Sequence, residues 1–501
     1  MSETTTAWTE LTAHLTELET LGGVSALLAW DQQTNMPPAA GASRGKQLAL
    51  ISRMQHERLT DPRVGAWLDT LEASKTELSP LQAAGVRNLR MRYDRSVKLS
   101  SDLVERFARA ESDGFTAWVQ AKQNNDFAAF APNLQLLLDL TLEKTQAIDS
   151  SRHPYDVLLD DFDPGMTVAQ LKPLFARLRD GLVQLLDAIA AAEQLAPVDE
   201  LFPVAGQRAL HAEVMAALGY DLQSGRLDPA EHPFTIGIAP GDVRITTHYY
   251  EDDLLSGLGG TIHEAGHGMY EQGLPVSFVG TGVRDAASLG LHESQSRFWE
   301  NTIGRSQAFC NWLEAKVQHH FPDTGVTSAD LYRGSNRVEP GLIRVAADEV
   351  TYNLHIIVRF ELELGLLEGT IAVADLPDAW NARYQEYLGV RPPTDAKGVL
   401  QDVHWSGGAF GYFPSYTLGN LYAASLGNSM IKAIPDLWAR VERGDFAPVL
   451  AWLREHVHSK AHLQDAPLIV ADAVGERDAV EDLLTYLWGR HGALYGLTRP
   501  V

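Results

Sequence analysis

Apolar residues recur at three- and four-residue intervals along most of this 501-residue chain. That spacing confines it to a mainly α-helical fold. The runs "AWTELTAHLTELETLGG" (7–23), "DLVERFARAESDGFTAWVQAK" (102–122), "LKPLFARLRDGLVQLLDAIAAAEQ" (171–194) and "EVTYNLHIIVRFELELGLLEG" (349–369) all show it. Several of them end at Gly or run into Pro, as helices do. One region breaks the pattern: "HPFTIGIAPGDVRITTHYYEDD" (232–253) alternates, is rich in Ile, Thr, Val and Tyr, and has the turn signal "APGD" at its centre. It predicts a β-hairpin with a short edge strand able to hold an extended peptide by main-chain hydrogen bonds. No repeat, low-complexity tract or long linker divides the chain. The joints "NMPPAAGAS" and "LGVRPPTDAKG" read as turns inside a single body, so one domain over 1–501 is expected.

The composition narrows the function by exclusion. With 65 acidic residues against 41 Lys plus Arg, the net charge is −24. That excludes partners recognised through basic patches, nucleic acid and anionic membrane surfaces among them. No apolar run reaches the ~18 residues a membrane span needs. The N-terminal stretch has no basic region followed by an apolar core, so a cytoplasmic protein is expected. A single cysteine, Cys310, rules out an internal disulfide. With no neighbouring His in "SQAFCNWLE" to act as base, Cys310 reads as a small buried apolar residue.

Directly after the alternating region comes "LGGTIHEAGHGMYEQG" (258–273). Residues four apart share a helix face, so His263 and His267 can present imidazoles to one ion. Glu264 falls beside that face, within reach of a water at the ion but not easily of the ion itself. This is the His-Glu-x-x-His pattern of zinc hydrolases. A second helical run, "AASLGLHESQSRFWENTIG" (286–304), offers Glu293 as a third ligand, completing a two-His, one-Glu set. His292, its neighbour, is expected to point elsewhere on that helix. Glu300 is either a carboxylate supporting a histidine ligand or an ion-pair partner of Arg297. The donor set suits Zn2+, with Co2+ or Mn2+ able to substitute. A non-enzymatic scaffold with a structural metal would normally show four protein ligands, and only three stand out here.

Six motifs in order carry a wider resemblance: "HPF" (232–234), "DVRIT" (242–246), "HEAGH" (263–267), "HESQ" (292–295), "IRVAAD" (343–348) and "GVLQDVHW" (398–405). Through them, and through "LLAWDQQTNMPP" near the N-terminus, the chain resembles the thermostable carboxypeptidase (carboxypeptidase Taq, M32) metallopeptidases over nearly its whole length. The resemblance implies a neurolysin-like zincin: a large helical body of two lobes around a deep central groove, with a small β-sheet beside the active site. It implies removal of single C-terminal residues from peptides with broad specificity, and a homodimer. The metal ligands carry over to His263, His267 and Glu293, and the general base to Glu264. A zinc endo-oligopeptidase of the neurolysin type is the alternative.

Several residues are candidates for holding substrate. An exopeptidase must bind a terminal carboxylate, which Arg does bidentately. Arg344 is the best placed, in a run expected to begin a helix after Pro340 and Gly341. Asp348 lies four residues on, where it could orient a histidine ligand, steer Arg344, or merely form a surface ion pair with it. Arg244 could contact substrate or brace the hairpin. His232 and His404 could donate hydrogen bonds to substrate or to a developing oxyanion, and so could Tyr412 in the glycine-rich stretch "GGAFGYFPSYTLGN".

Overall fold

The computed structural model describes residues 2–500. It is mainly helical, with a three-stranded sheet. The chain divides into two compact units, each built from separated segments. The first comprises Met1–Val97, Pro197–Ser335 and Tyr422–Arg477; the second comprises Lys98–Ala196, Asn336–Leu421 and Asp478–Val501.

In the first unit a long helix, Glu3–Thr34, is capped by the Ser2 hydroxyl, which accepts from Thr5 N–H at 3.2 Å. Its apolar stripe, Leu11, Leu15 and Leu18, packs on Val64, Leu68 and Leu71 of the helix Pro62–Ala73. The sequence predicts an end at Gly22-Gly23, yet the helix runs straight through both. Gly23 is there for proximity: a Cβ on it would stand 2.5 Å from the Ile238 carbonyl oxygen of the sheet. Glycine is the residue that lets backbones approach this closely.

The expected hairpin is present as β2 (Thr235–Ala239) and β3 (Asp242–Thr247), antiparallel, with Gly241 at φ +83° in the turn. The sequence reading misses a further strand, β1 (Gly225–Pro229), which pairs parallel with β3 and makes β3 the central strand. The HEAGH helix, Leu254–Gly273, lies against β3, and Thr261 and Thr247 share a hydroxyl hydrogen bond of 2.7 Å. The next helix, Leu289–Arg297, passes directly into a π-helical stretch, Phe298–Gly304.

In the second unit the helix Tyr352–Leu367 is buried on nearly every side. It carries His355, Arg359 and Glu363, each fully buried. The helix expected to begin just after Gly341 does not: Arg344–Ala346 is a single 3-10 turn, and regular helix starts at Tyr352. Among the described residues no helix is long and apolar enough to cross a membrane. Cys310 is buried.

Candidate metal centre and active site

His263 and His267 stand one helical turn apart, with ring centroids 4.9 Å from each other. The neighbouring helix brings Glu293 against them. Its Oε2 is 3.5 Å from His263 Nε2 and 3.3 Å from His267 Nε2. One ligand atom from each of the three lies within 4.8 Å of the others. Tetrahedral ligands at about 2.1 Å from an ion are about 3.4 Å apart, so the two imidazole–carboxylate spacings fit a small divalent ion. The chemistry fits too: two imidazoles and one carboxylate, each held from behind.

The supports are specific. His263 Nδ1 donates to Glu300 Oε2 at 2.8 Å. Glu300 also receives Arg297 at 3.3 Å and Arg305 at 3.0 Å, so it both holds the histidine and forms ion pairs. Glu300 sits in the π-helical stretch, a feature frequent at functional sites. Arg297 also donates to Glu293 Oε1 at 2.7 Å. Burial opposes charge on Glu293, but Arg297 and the two histidines hold its carboxyl well below the usual range. Burial, with His292 adding to it, brings the His267 imidazole down to about 3, leaving it neutral, the form that binds metal.

His292 does not point elsewhere, as the sequence reading expects. It stacks on His267 with centroids 4.4 Å apart, and the two Nδ1 atoms are 2.5 Å apart. Its Nε2 donates to Glu271 Oε1 at 3.0 Å. A divalent ion held through Nε2 would leave neutral His267 with its proton on Nδ1, facing His292 Nδ1, and His292 would in turn donate from Nε2 to Glu271. Glu271 went unnoticed in the sequence although the signal was there: it lies four residues after His267, on the same helix face.

Glu264 is buried beside the candidate ligands at 7% exposure. Thr235, at the start of β2, donates its hydroxyl to Glu264 Oε2 at 2.6 Å and also lies 2.9 Å from the Glu264 carbonyl oxygen. Burial pushes the Glu264 carboxyl up. A carboxyl poised this way can both take and return a proton.

The other candidates fall in different places. Arg244 pairs with Asp242 at 2.8 Å and covers the Trp30 ring at 4.3 Å, which braces the strand. His232 is exposed, and its carbonyl lies 3.4 Å from the Thr246 hydroxyl. Asp348 touches neither Arg344 nor a histidine ligand. It accepts from the backbone of Val350, Thr351 and Glu339 and from the Thr351 hydroxyl, tying down the turn before the helix. The four-residue spacing to Arg344 carries no meaning because that stretch is not helical.

Arg344 is buried and pairs with Asp402 instead, at 2.9 Å. Arg359, fully buried, binds the other oxygen of Asp402 at 2.6 Å. Two guanidiniums thus share one carboxylate, and the cluster carries a net positive charge. The rings of Phe413 and Tyr416 lie against Arg344 at 5.8 and 5.1 Å. Close by in sequence, His404 contacts the rings of Tyr412 and Phe413 at 5.3 and 4.6 Å. Burial brings its imidazole down to about 4, and its Nδ1 is buried without a hydrogen-bond partner.

A helical fold with a two-His, one-Glu donor set and an adjacent buried glutamate defines a metallohydrolase-type site. The comparisons narrow this class. The family model for carboxypeptidase Taq (M32) metallopeptidases matches residues 10–491. Thermostable carboxypeptidase 1 of Thermus thermophilus is 44% identical over 98% of this chain and 99% of that protein. Carboxypeptidase 1 of Bacillus subtilis is 38% identical over 94% of this chain and 95% of that protein. The crystal structure of an M32 carboxypeptidase from Deinococcus radiodurans R1 superposes with a TM-score of 0.95 at 40% identity, covering 98% of this chain and 100% of that one. The chain belongs to the carboxypeptidase Taq (M32) metallopeptidase family. It is a metallocarboxypeptidase, acting on peptides with a divalent metal.

Proposed function

We propose that this enzyme removes single residues from the free C-terminus of peptides of broad sequence, with zinc held by His263, His267 and Glu293 and with Glu264 as general base and acid. The observation that carries this reading is the convergence of three ligand atoms within 4.8 Å beside a buried glutamate aimed by Thr235. A bound divalent ion supplies Lewis acidity, making water a better nucleophile and a carbonyl a better electrophile. Glu264 takes a proton from the attacking water and returns it to the departing amine nitrogen, so the carboxylate is regenerated with each turnover. Thr235 and the buried surroundings keep that carboxylate in place. Co2+ or Mn2+ would suit the same ligands.

The proposed role of Arg344 is to hold the terminal carboxylate. Its support is charge balance: Arg344 and Arg359 have one Asp402 between them, so the cluster is one anion short. His404 and Tyr412 are the proposed hydrogen-bond donors to the oxyanion. The resemblance also leads us to propose a cytoplasmic homodimer, which sedimentation of the purified protein would test.

The test is a peptide set in which each member is present as free acid and as amide, followed by mass spectrometry with and without chelator. Stepwise C-terminal losses from the free acids alone are expected, stopped by chelator and restored by zinc. Internal cuts in both forms would overturn the exopeptidase reading. Glu264→Gln should retain metal and lose turnover by at least about 100-fold, the scale of general acid–base catalysis.

A further inference from the structure

The first unit contains a cavity of about 480 Å³ that the mechanism does not use. This lies within the roughly 300–1,000 Å³ typical of small-molecule sites. Its wall carries two guanidiniums, Arg92 and Arg284, and two carboxylates, Glu19 and Asp285. Glu19, Arg92 and Asp285 are exposed and Arg284 is half-buried. Here none of the four pairs with another, although Glu19 senses both guanidiniums and Asp285. Glu19 accepts from Gly280 N–H at 2.9 Å. Asn88 donates to the carbonyls of Gly282 and His462 at 3.2 and 2.9 Å, fixing the strand of chain that presents Arg284 and Asp285.

Arg284 reaches only the Glu271 carbonyl, at a long 3.5 Å, and its Nε is buried without a hydrogen-bond partner. An orphaned buried donor is costly unless something answers it. The remaining wall includes the apolar side chains of Leu18, Leu59 and Met91. Separated positive and negative groups above an apolar floor match a small zwitterion with an apolar side chain.

We propose that this cavity is a binding site for a free α-amino acid, its carboxylate taken by Arg284 and Arg92, its ammonium by Asp285 and Glu19, and its side chain by the leucines and Met91. That such a molecule is also the enzyme's product rests on the function proposed above; the binding chemistry does not.

The test is calorimetric titration of the metal-loaded enzyme with L-leucine, with 4-methylpentanoate (no amine) and with isoamylamine (no carboxylate). Leucine is expected to bind the Arg344→Gln variant, in which product binding at the proposed catalytic site is impaired. Each half-molecule should bind at least ten-fold more weakly. Arg284→Gln and Asp285→Asn should also weaken leucine binding at least ten-fold. Arg92→Gln, an exposed position whose change spares the fold, should weaken it several-fold. Loss of all leucine binding in Arg344→Gln would overturn the proposal, as would unchanged binding in the cavity variants. Peptide trimming is measured on the same preparations. Trimming without cavity binding refutes this site alone; cavity binding without trimming refutes the proposed function alone.

Discussion

At the level of single side chains, the proposed metal centre rests on groups behind its three candidate ligands. His263 is held by Glu300, and His267 by His292 with Glu271 behind it. Such outer partners fix the tautomer and ring orientation of a metal ligand, and losing one typically costs about 10–100-fold in metal affinity. His292→Ala is therefore expected to weaken metal binding by about that factor, read by competition with a chromophoric chelator, with Glu264 left intact. Unchanged affinity would show the stacked His292 to be packing only. The two candidate histidine ligands could be nominated from sequence, because a four-residue spacing on a helix needs no tertiary knowledge. The partner of Arg344 could not. Asp402 lies 58 positions away, and the Asp348 alternative rests on a helical spacing that this stretch does not adopt.

At the level of elements, the ligand geometry is set by how closely two helices approach. Gly266 lies between the two histidines, and a Cβ on it would stand 2.7 Å from the Gln295 carbonyl oxygen and from Ser296 Cα. Those atoms are backbone and cannot swing aside. Gly266→Ala should push the helix Leu289–Arg297 away, carrying Glu293 with it. An overpacking cost of about 1–3 kcal/mol and a clear loss of metal affinity are expected, measured by thermal unfolding and chelator competition. Gly259, on the same helix, has nothing within 4 Å of the added Cβ. Gly259→Ala should therefore stabilise by about 0.4–1 kcal/mol, through reduced freedom of the unfolded chain. If both variants behaved alike, close helix approach would not be the reason for Gly266. The hairpin was legible from its alternation and turn. Strand β1 was not: at five residues, ending in Pro229, it has no pattern of its own and is a strand only because β3 is there to pair with it.

Across the whole molecule, burial of neutral histidines makes stability fall with acid. His211 is fully buried, its Nδ1 2.8 Å from the Thr261 hydroxyl, and burial brings it down to about 3; His458 is likewise brought to about 3. Each would titrate near 6.5 in the unfolded chain. Between those values the unfolded state takes up a proton that the folded state refuses. Stability is thus intact above pH 6.5 and declines as pH falls towards 3, by up to about 1.4 kcal/mol per pH unit per histidine. Urea unfolding of the metal-free protein from pH 7 to 5 should show this decline, and His211→Gln should flatten it by about one proton. An unchanged slope in that variant would mean that His211 protonates in the fold. The surplus of acidic residues leaves the net charge at −24. It bears on solubility and excluded partners rather than on which fold forms.

Periodicity was enough to predict a helical protein, and the HEAGH spacing was enough to nominate two metal ligands and a base. Both are local, resting on the 3.6-residue turn that any helix must make. A third candidate ligand, Glu293, could be nominated from a following helix, but its place depended on Gly266 admitting that helix to contact distance. Glu300 reaches His263 from a π-helical stretch. The Arg344–Asp402–Arg359 cluster joins three separated segments. The four unpaired charges of the cavity come from two helices and a loop. None of these arrangements has a period or a fixed spacing along the chain. They arise when packing brings distant backbone together and leaves side chains to find whichever partners are within reach.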